Sequence, residues 1–390
     1  MNQEEELKSQ LAKFDAKMIY KYQQRIANGQ LTIEDQKKFT SFKFVEQFAI
    51  SKLVILKGAG IHFQYVPNNI VDLTINESRV TSLSGIEQMT GLVQLDLTQN
   101  KISSVDELKY LTNLKVLNLG HNIIADISPL FVLVQLEELN VWGNNIRNIS
   151  MIPVLQKLQK LSIESNKISS IQPLEQMQNI TELHLNCIKR CNIKSLKYMI
   201  NLTKVQLGDM SLTDISALSV LVNLQELELS MNKIKDIGHL ARLTKLTKLE
   251  IERNCIISIA PLESLKNLQT LNIESNNIIF VDIIASFTQL RYLSISYNKI
   301  IDDSPIENNH SLLEQYCTDQ EDSTPPEIIF AQILENIYET HKILHLNTFL
   351  KYNTQKKMDL AIQNTKAIIQ KATYSQIYFT KRVVELVKYL

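Results

Sequence analysis

A 22-residue period runs in unbroken register from Ile70 to about Ile306, and no other feature of this chain restricts its fold as tightly. One copy reads Leu92-Val-Gln-Leu95-Asp-Leu97-Thr-Gln-Asn100-Lys-Ile102. Steps of 22 place the first apolar position at Ile70, Leu92, Leu114, Leu136, Leu158, Ile180, Leu202, Leu224, Leu246, Leu268 and Leu290. Position nine reads Ser78, Asn100, Asn122, Asn144, Asn166, Ile188, Met210, Asn232, Asn254, Asn276 and Asn298, so the amide is kept in eight of eleven copies. A period of this length means one small unit stacked many times rather than several independent domains.

Within a copy, positions four and six alternate with polar neighbours, as Leu95 and Leu97 do, and this period of two predicts a short strand with those leucines inward. Ile102, Val105, Leu108 and Leu111 follow at spacings of three, which suits a 3₁₀ or single-turn segment closing the coil on the far side. No unit can bury these residues alone, so stability comes from parallel stacking on neighbours. Position nine falls where the strand turns outward, and an asparagine amide there satisfies backbone groups that the turn leaves unpaired. Proline recurs within Ile127-Ser-Pro-Leu130, Ile171-Gln-Pro-Leu174, Ile259-Ala-Pro-Leu262 and Asp303-Ser-Pro-Ile306. At the start of a helical turn its missing N–H costs nothing.

The flanks break the rule. Residues 3–27 carry Leu7, Leu11, Phe14, Met18, Tyr22 and Ile26 along one stripe with Gly29 after them, predicting an amphipathic helix. The expected organisation is therefore a helical cap over 1–30, irregular capping repeats over 31–69 and eleven repeats over 70–306. Within the second segment Leu53 and Ile55 stand 20 residues before Leu73 and Ile75. An acidic linker over 307–326 and a C-terminal helical hairpin over 327–390 complete the chain. Copies six and seven, with Ile188, Met210 and the altered turn Asn186-Cys-Ile-Lys-Arg-Cys-Asn192, keep their length, so a local distortion is expected there rather than a break.

With Lys+Arg equal to Asp+Glu, the formal net charge is zero. This balance argues against a nucleic-acid partner held by phosphate neutralisation. The first residues are charged rather than apolar, no run of about 18 apolar residues occurs, and four cysteines are too few for a disulfide framework. Cytoplasmic residence with reduced thiols and no membrane contact is the resulting expectation. No Gly-Lys-Ser phosphate loop or third glycine after Gly58-Ala-Gly60 is present, and His341-Lys-Ile-Leu-His345 lacks the glutamate of a zinc protease. His184, Cys187 and Cys191 form a mixed cluster, but His184 and Cys187 are roughly 10 Å apart at about 3.3 Å per strand residue. The chain thus reads as non-enzymatic, with no cofactor and no metal.

Functional information sits on the residues facing outward from the strands, at positions three, five, seven and eight. Acidic residues dominate there: Asp72, Glu77, Asp96, Glu138, Glu164, Glu182, Asp209, Glu226, Glu228, Glu250, Glu252 and Glu274, opposed by Lys160, Lys204, Lys248 and Arg253. Trp142, the single tryptophan, shares this face with Tyr292 and Tyr297. The candidate partner-binding residues are therefore Trp142, Glu138, Glu164, Glu182, Asp209, Glu226, Glu228, Glu250, Glu252, Glu274, Tyr292 and Tyr297, and the partner they suit is a protein with a basic surface.

The phrase Asn-x-Ile-x-x-Ile/Val-x-x-Leu after each strand resembles the leucine-rich repeat, and over residues 31 to 306 it implies an α/β solenoid, a horseshoe of short parallel strands with 3₁₀ or helical outer segments and helical caps at both ends. The 22-residue spacing resembles the leucine-rich regulatory subunit of protein phosphatase 1, which implies an intracellular scaffold partnered by a phosphatase catalytic subunit. Asp126-Ile-Ser-Pro-Leu130 resembles a phrase of the bacterial internalins, which implies a surface adhesin.

Overall fold

The computed structural model describes the backbone of residues 52–56, residues 63 and 66, and residues 70–189, 191–300 and 303–316, with the last three as backbone alone. The chain divides into two compact units, Met1–Glu321 and Asp322–Leu390, and the described residues all belong to the first. The expected helical caps, most of the irregular repeats, the His341–His345 pair and the C-terminal hairpin lie outside the described residues.

Thirteen strands form one parallel sheet in sequence order. They are β1 (Lys52–Leu56), β2 (Asp72–Asn76), β3 (Gln94–Asp96), β4 (Val116–Asn118), β5 (Glu138–Asn140), β6 (Lys160–Ser162), β7 (Glu182–His184), β8 (Lys204–Gln206), β9 (Glu226–Glu228), β10 (Lys248–Glu250), β11 (Thr270–Asn272), β12 (Tyr292–Ser294) and β13 (Glu314–Tyr316). Each pairs with its neighbour exactly one unit on, so Leu95 lies opposite Leu117 and Leu117 opposite Leu139. From β1 to β2 the step is 20, with Leu53 opposite Leu73 and Ile55 opposite Ile75.

Between strands the chain forms 3₁₀ segments such as Asp106–Tyr110, Ser128–Val132 and Ala260–Ser264, with proline in the first turn of those carrying the Ser-Pro or Ala-Pro phrase. The core is one continuous cluster threading every coil: Leu95, Leu97, Ile102, Val105, Leu108 and Leu111 are at most 1% exposed, and their equivalents in the other copies are buried as well. Burying a leucine side chain contributes about 1.5–3 kcal/mol, and here that burial depends on the adjoining coils.

Two rows of asparagine tie the coils together. At position nine the Asn144 Nδ2 donates to the carbonyls of Leu119, Val141 and Trp142 at 3.0, 3.0 and 3.2 Å, while its Oδ1 accepts from Ile124 N at 2.9 Å. The pattern repeats at Asn122, Asn166, Asn254, Asn276 and Asn298. Where the preceding copy has lost its own amide the load doubles: Asn100 accepts from Ser78 N and Val80 N, and Asn232 from Met210 N and Leu212 N. In those two copies a second residue also turns left-handed, Arg79 at φ 54° and Ser211 at φ 62°. A separate row, not foreseen from the sequence, precedes the first leucine of a copy. Asn113, Asn179, Asn201, Asn223 and Asn267 each donate to a carbonyl 23 residues back, at 2.6–3.1 Å.

Copies six and seven stay in the ladder, with Glu182 opposite Lys204 and Lys204 opposite Glu226. Buried Ile188 and Met210 occupy position nine, and the Asn186 Oδ1 closes the altered turn by accepting from Gly208 N at 2.7 Å. At the far end the ladder runs one strand further than the eleven copies. The segment 307–326, expected as a linker, holds β13, with Glu314 opposite Tyr292. Ahead of it lie the helix α1 (Ser304–Glu307) and buried Asn309, whose Nδ2 donates to the carbonyls of Ile284 and Phe287 at 2.6 and 3.1 Å. The backbone pairing needs no leucine at every position, which is why a weakened consensus hid this coil.

Candidate binding face

The sheet presents positions three, five and seven to its outer side, and position eight makes the turn at the strand's end. That turn is left-handed in all eleven copies: φ is between 50° and 64° at Glu77, Gln99, His121, Gly143, Ser165, Cys187, Asp209, Met231, Arg253, Ser275 and Tyr297. Only one of these is glycine, so ten side chains are held in a conformation that costs an L-residue roughly 1–2 kcal/mol. Position five supports the turn. Asp96, Asn118, Asn140, Glu228 and Asn272 each accept from the backbone N–H two residues on, at 2.9–3.2 Å.

The acidic residues expected as a ribbon separate into two groups. Position three reads Glu138, Lys160, Glu182, Lys204, Glu226 and Lys248 on β5 to β10, an alternating row on strands about 4.8 Å apart. Lys160 meets Glu138 at 2.7 Å, and Lys204 bridges Glu182 at 3.1 Å and Glu226 at 3.5 Å. The Glu138 carboxylate, by hydrogen bond and charge, raises the Lys160 ammonium pKa. At Glu182 burial pushes the carboxyl upward, but Lys204 and His184, the latter 2.9 Å away, outweigh it and leave the pKa lowered. Three of the expected contact residues, Glu138, Glu182 and Glu226, are thus already paired within the sheet, and Asp209 meets Lys189 at 3.4 Å.

The second group lies at positions five and seven of the eighth to tenth copies: Glu228, Glu250, Glu252 and Glu274. Lys248 reaches Glu250 at 3.1 Å, and Ser294 Oγ donates to Glu274 Oε2 at 3.0 Å. Glu252 Oε2 is buried with no hydrogen-bond partner. Glu228 lies in a notch over Gly208, accepting from Gly208 N at 3.1 Å and Ser230 N at 2.9 Å; a Cβ on Gly208 would stand 2.6 Å from its Oε1. Burial raises its pKa, Ser230 opposes, and the charges of Glu252 and Glu250 raise it further. Tyr292 is half-buried on β12 and Tyr297 is 46% exposed at the adjoining turn. Glu164 is half-buried several coils away.

Trp142 is half-buried. Its indole lies over Gly120, where a Cβ would stand 2.1 Å from Nε1, and meets the His121 ring edge-on at 5.3 Å. Gly120 and Gly208, both at position seven, are notches filled by a longer side chain from the next coil. Among the described residues no group of three or more His, Cys, Asp or Glu could hold a metal; His184 faces Glu182, Cys191 is buried and Cys187 is exposed.

Residues 112–154 match the family described as Leucine Rich repeats (2 copies), and residues 220–241 match Leucine Rich repeat. An internalin, inlF, of Listeria monocytogenes is 26% identical, with 73% of this chain and 89% of that one covered at a TM-score of 0.63. The chain has the leucine-rich repeat fold and is similar to this bacterial internalin. A second internalin of that organism, C2, is 30% identical over 48% of this chain and 83% of its own, with a TM-score of 0.46. The InlJ functional domain of Listeria monocytogenes, at 22% identity, 65% and 54% coverage and a TM-score of 0.53, shares the fold. No curated protein matches the chain. The likeness to inlF supports, in general terms, an interaction module built on this fold. That likeness also overturns the expected cytoplasmic residence, because internalins are secreted and surface proteins of bacteria. The absence of an apolar leader, on which that expectation rested, says nothing about what precedes a given stretch of chain. Among the described residues no helix is long and apolar enough to cross a membrane.

Proposed function

We propose that this protein is an internalin-like adhesion module that holds a protein partner on the outer face of its sheet, centred on Glu228, Glu250, Glu252 and Glu274 with Tyr292 and Tyr297 beside them. The observation that carries this reading is the unequal pairing of the carboxylates. Those of position three are matched by lysines, whereas Glu252 keeps a buried oxygen without a partner and Glu228 has its pKa raised by burial and by two like-charged neighbours. A basic protein surface relieves both costs, and like-sign repulsion disfavours acidic competitors. The single indole at Trp142 and the carboxylate of Glu164 form a second, smaller contact toward the other end of the face.

Two measurements test the reading. Labelling of intact cells with a membrane-impermeant reagent should tag the protein; a pool found only inside the cell refutes the adhesin. Cross-linking on the cell surface with wild type and with the Glu250→Lys, Glu252→Lys pair should lose the partner from the variant alone. The same cross-links in both would place the contact elsewhere.

A further inference from the structure

The turn that leaves each strand continues to position ten, and there the charge reverses. Arg79, Lys101, Lys167, Lys189, Lys233 and Lys299 occupy it in six of eleven copies, and no copy places a carboxylate there. All but the half-buried Lys299 are exposed. Four of the six are held in step, because their N–H donates to the position-eleven carbonyl of the coil before: Lys101 to Val80, Lys167 to Ile146, Lys233 to Leu212 and Lys299 to Ile278, at 2.8–2.9 Å. Among the described residues Lys189 is the member that meets a carboxylate, Asp209. At about 4.8 Å per strand the row extends roughly 48 Å along one edge of the sheet.

At its first end the row borders a hollow of about 360 Å³ lined by Glu77, Arg79, Gln99, Asn100, Lys101 and His121. That volume lies in the range of small-ligand sites, roughly 300–1,000 Å³. Two permanent cations and an imidazole face one carboxylate there, and the donors of Gln99 supply neutral hydrogen bonds.

We propose that this edge binds an anionic polysaccharide, with one acidic sugar seated in the hollow beside Arg79 and Lys101 and the chain running along the row. The cations stand in six of the eleven coils; of the five gaps, Asn145, Ser211 and Asn277 offer amides and a hydroxyl that suit sugar hydroxyls, while exposed Ile123 and half-buried Cys255 offer apolar surface to a sugar ring face. Duplex DNA carries a charge about every 1.7 Å of axis and calls for denser neutralisation. Single-stranded nucleic acid is held by stacking on aromatic side chains, and this row has none. The inference stands apart from the acidic face and its protein partner.

The test titrates a heparin-derived hexasaccharide into the full-length protein and reads Trp142 emission, since His121 lines the hollow and touches that indole. Saturable binding that weakens with added salt is expected, with an affinity at least tenfold lower for Arg79→Ser, Lys101→Ser. The Lys167→Ser, Lys189→Ser pair should leave the hexasaccharide unaffected while reducing affinity for full-length heparin, and Glu250→Lys, Glu252→Lys should weaken neither. Polygalacturonate in a parallel titration separates carboxylate from sulfate recognition, either of which supports an anionic polysaccharide. No saturable binding of either polymer at physiological salt, equal binding by the Arg79, Lys101 variant at unchanged melting temperature, or equal affinity for a single-stranded oligodeoxynucleotide would each overturn the proposal.

Discussion

The asparagine row predicts an uneven distribution of stability that composition alone would not suggest. Asn232 accepts from Met210 N and Leu212 N at 3.1 and 2.9 Å and donates to the carbonyls of Leu207, Leu229 and Ser230. Asn144 makes the same three donations but accepts from Ile124 N. Truncating either to alanine strands its carbonyl acceptors, which retain other lone pairs; the decisive difference is in donors, two stranded N–H groups against one. A buried donor left without a partner costs about 1–3 kcal/mol. Asn232→Ala is therefore expected to exceed Asn144→Ala by about 1–3 kcal/mol, and Asn100→Ala, with Ser78 N and Val80 N, to behave like Asn232→Ala. The assay is urea denaturation with the slope held equal across variants, paired with amide exchange at Met210 and Leu212. Equal losses at Asn232 and Asn144, with Met210 and Leu212 still protected, would refute the reasoning.

Three further outcomes are expected. Gly120→Ala places a methyl within 2.1 Å of Trp142 Nε1, so the indole must leave its seat; because the chain has one tryptophan, its emission should shift to the red, and an unmoved spectrum would show that the backbone yields instead. Met231, 50% exposed and left-handed at φ 58°, should become more stabilising as glycine: about 1–2 kcal/mol of strain is relieved against about 0.5–1 kcal/mol of added unfolded-state entropy, read as a rise in melting temperature. The raised pKa of Glu228 means its charged form costs stability at neutral pH, a cost that fades as pH falls through its folded pKa; the lowered pKa of Glu182 gives stability at neutral pH that is lost as pH falls through its own folded pKa. Glu250→Gln with Glu252→Gln should move the Glu228 titration, followed by carboxyl carbon NMR, to lower pH, whereas an unchanged midpoint would assign the shift to burial alone.

The 22-residue period determined the fold by itself. Leucines at positions one, four and six leave a coil with no way to bury its apolar edges except against an identical neighbour, so the parallel register, the core and the role of the position-nine amide follow from spacing. The sequence also placed the outward face correctly, because alternation on a strand is a local rule. It could not show which carboxylates on that face are already paired. That depends on residues 22 apart becoming neighbours, as Glu182, Lys204 and Glu226 do across β7, β8 and β9. Nor could it show that Trp142 rests on Gly120, that Glu252 keeps a buried oxygen unpaired, or that one more strand pairs at Glu314–Tyr316. Each of these is decided by what the adjoining coil presents, and stacking geometry exists only in the tertiary structure.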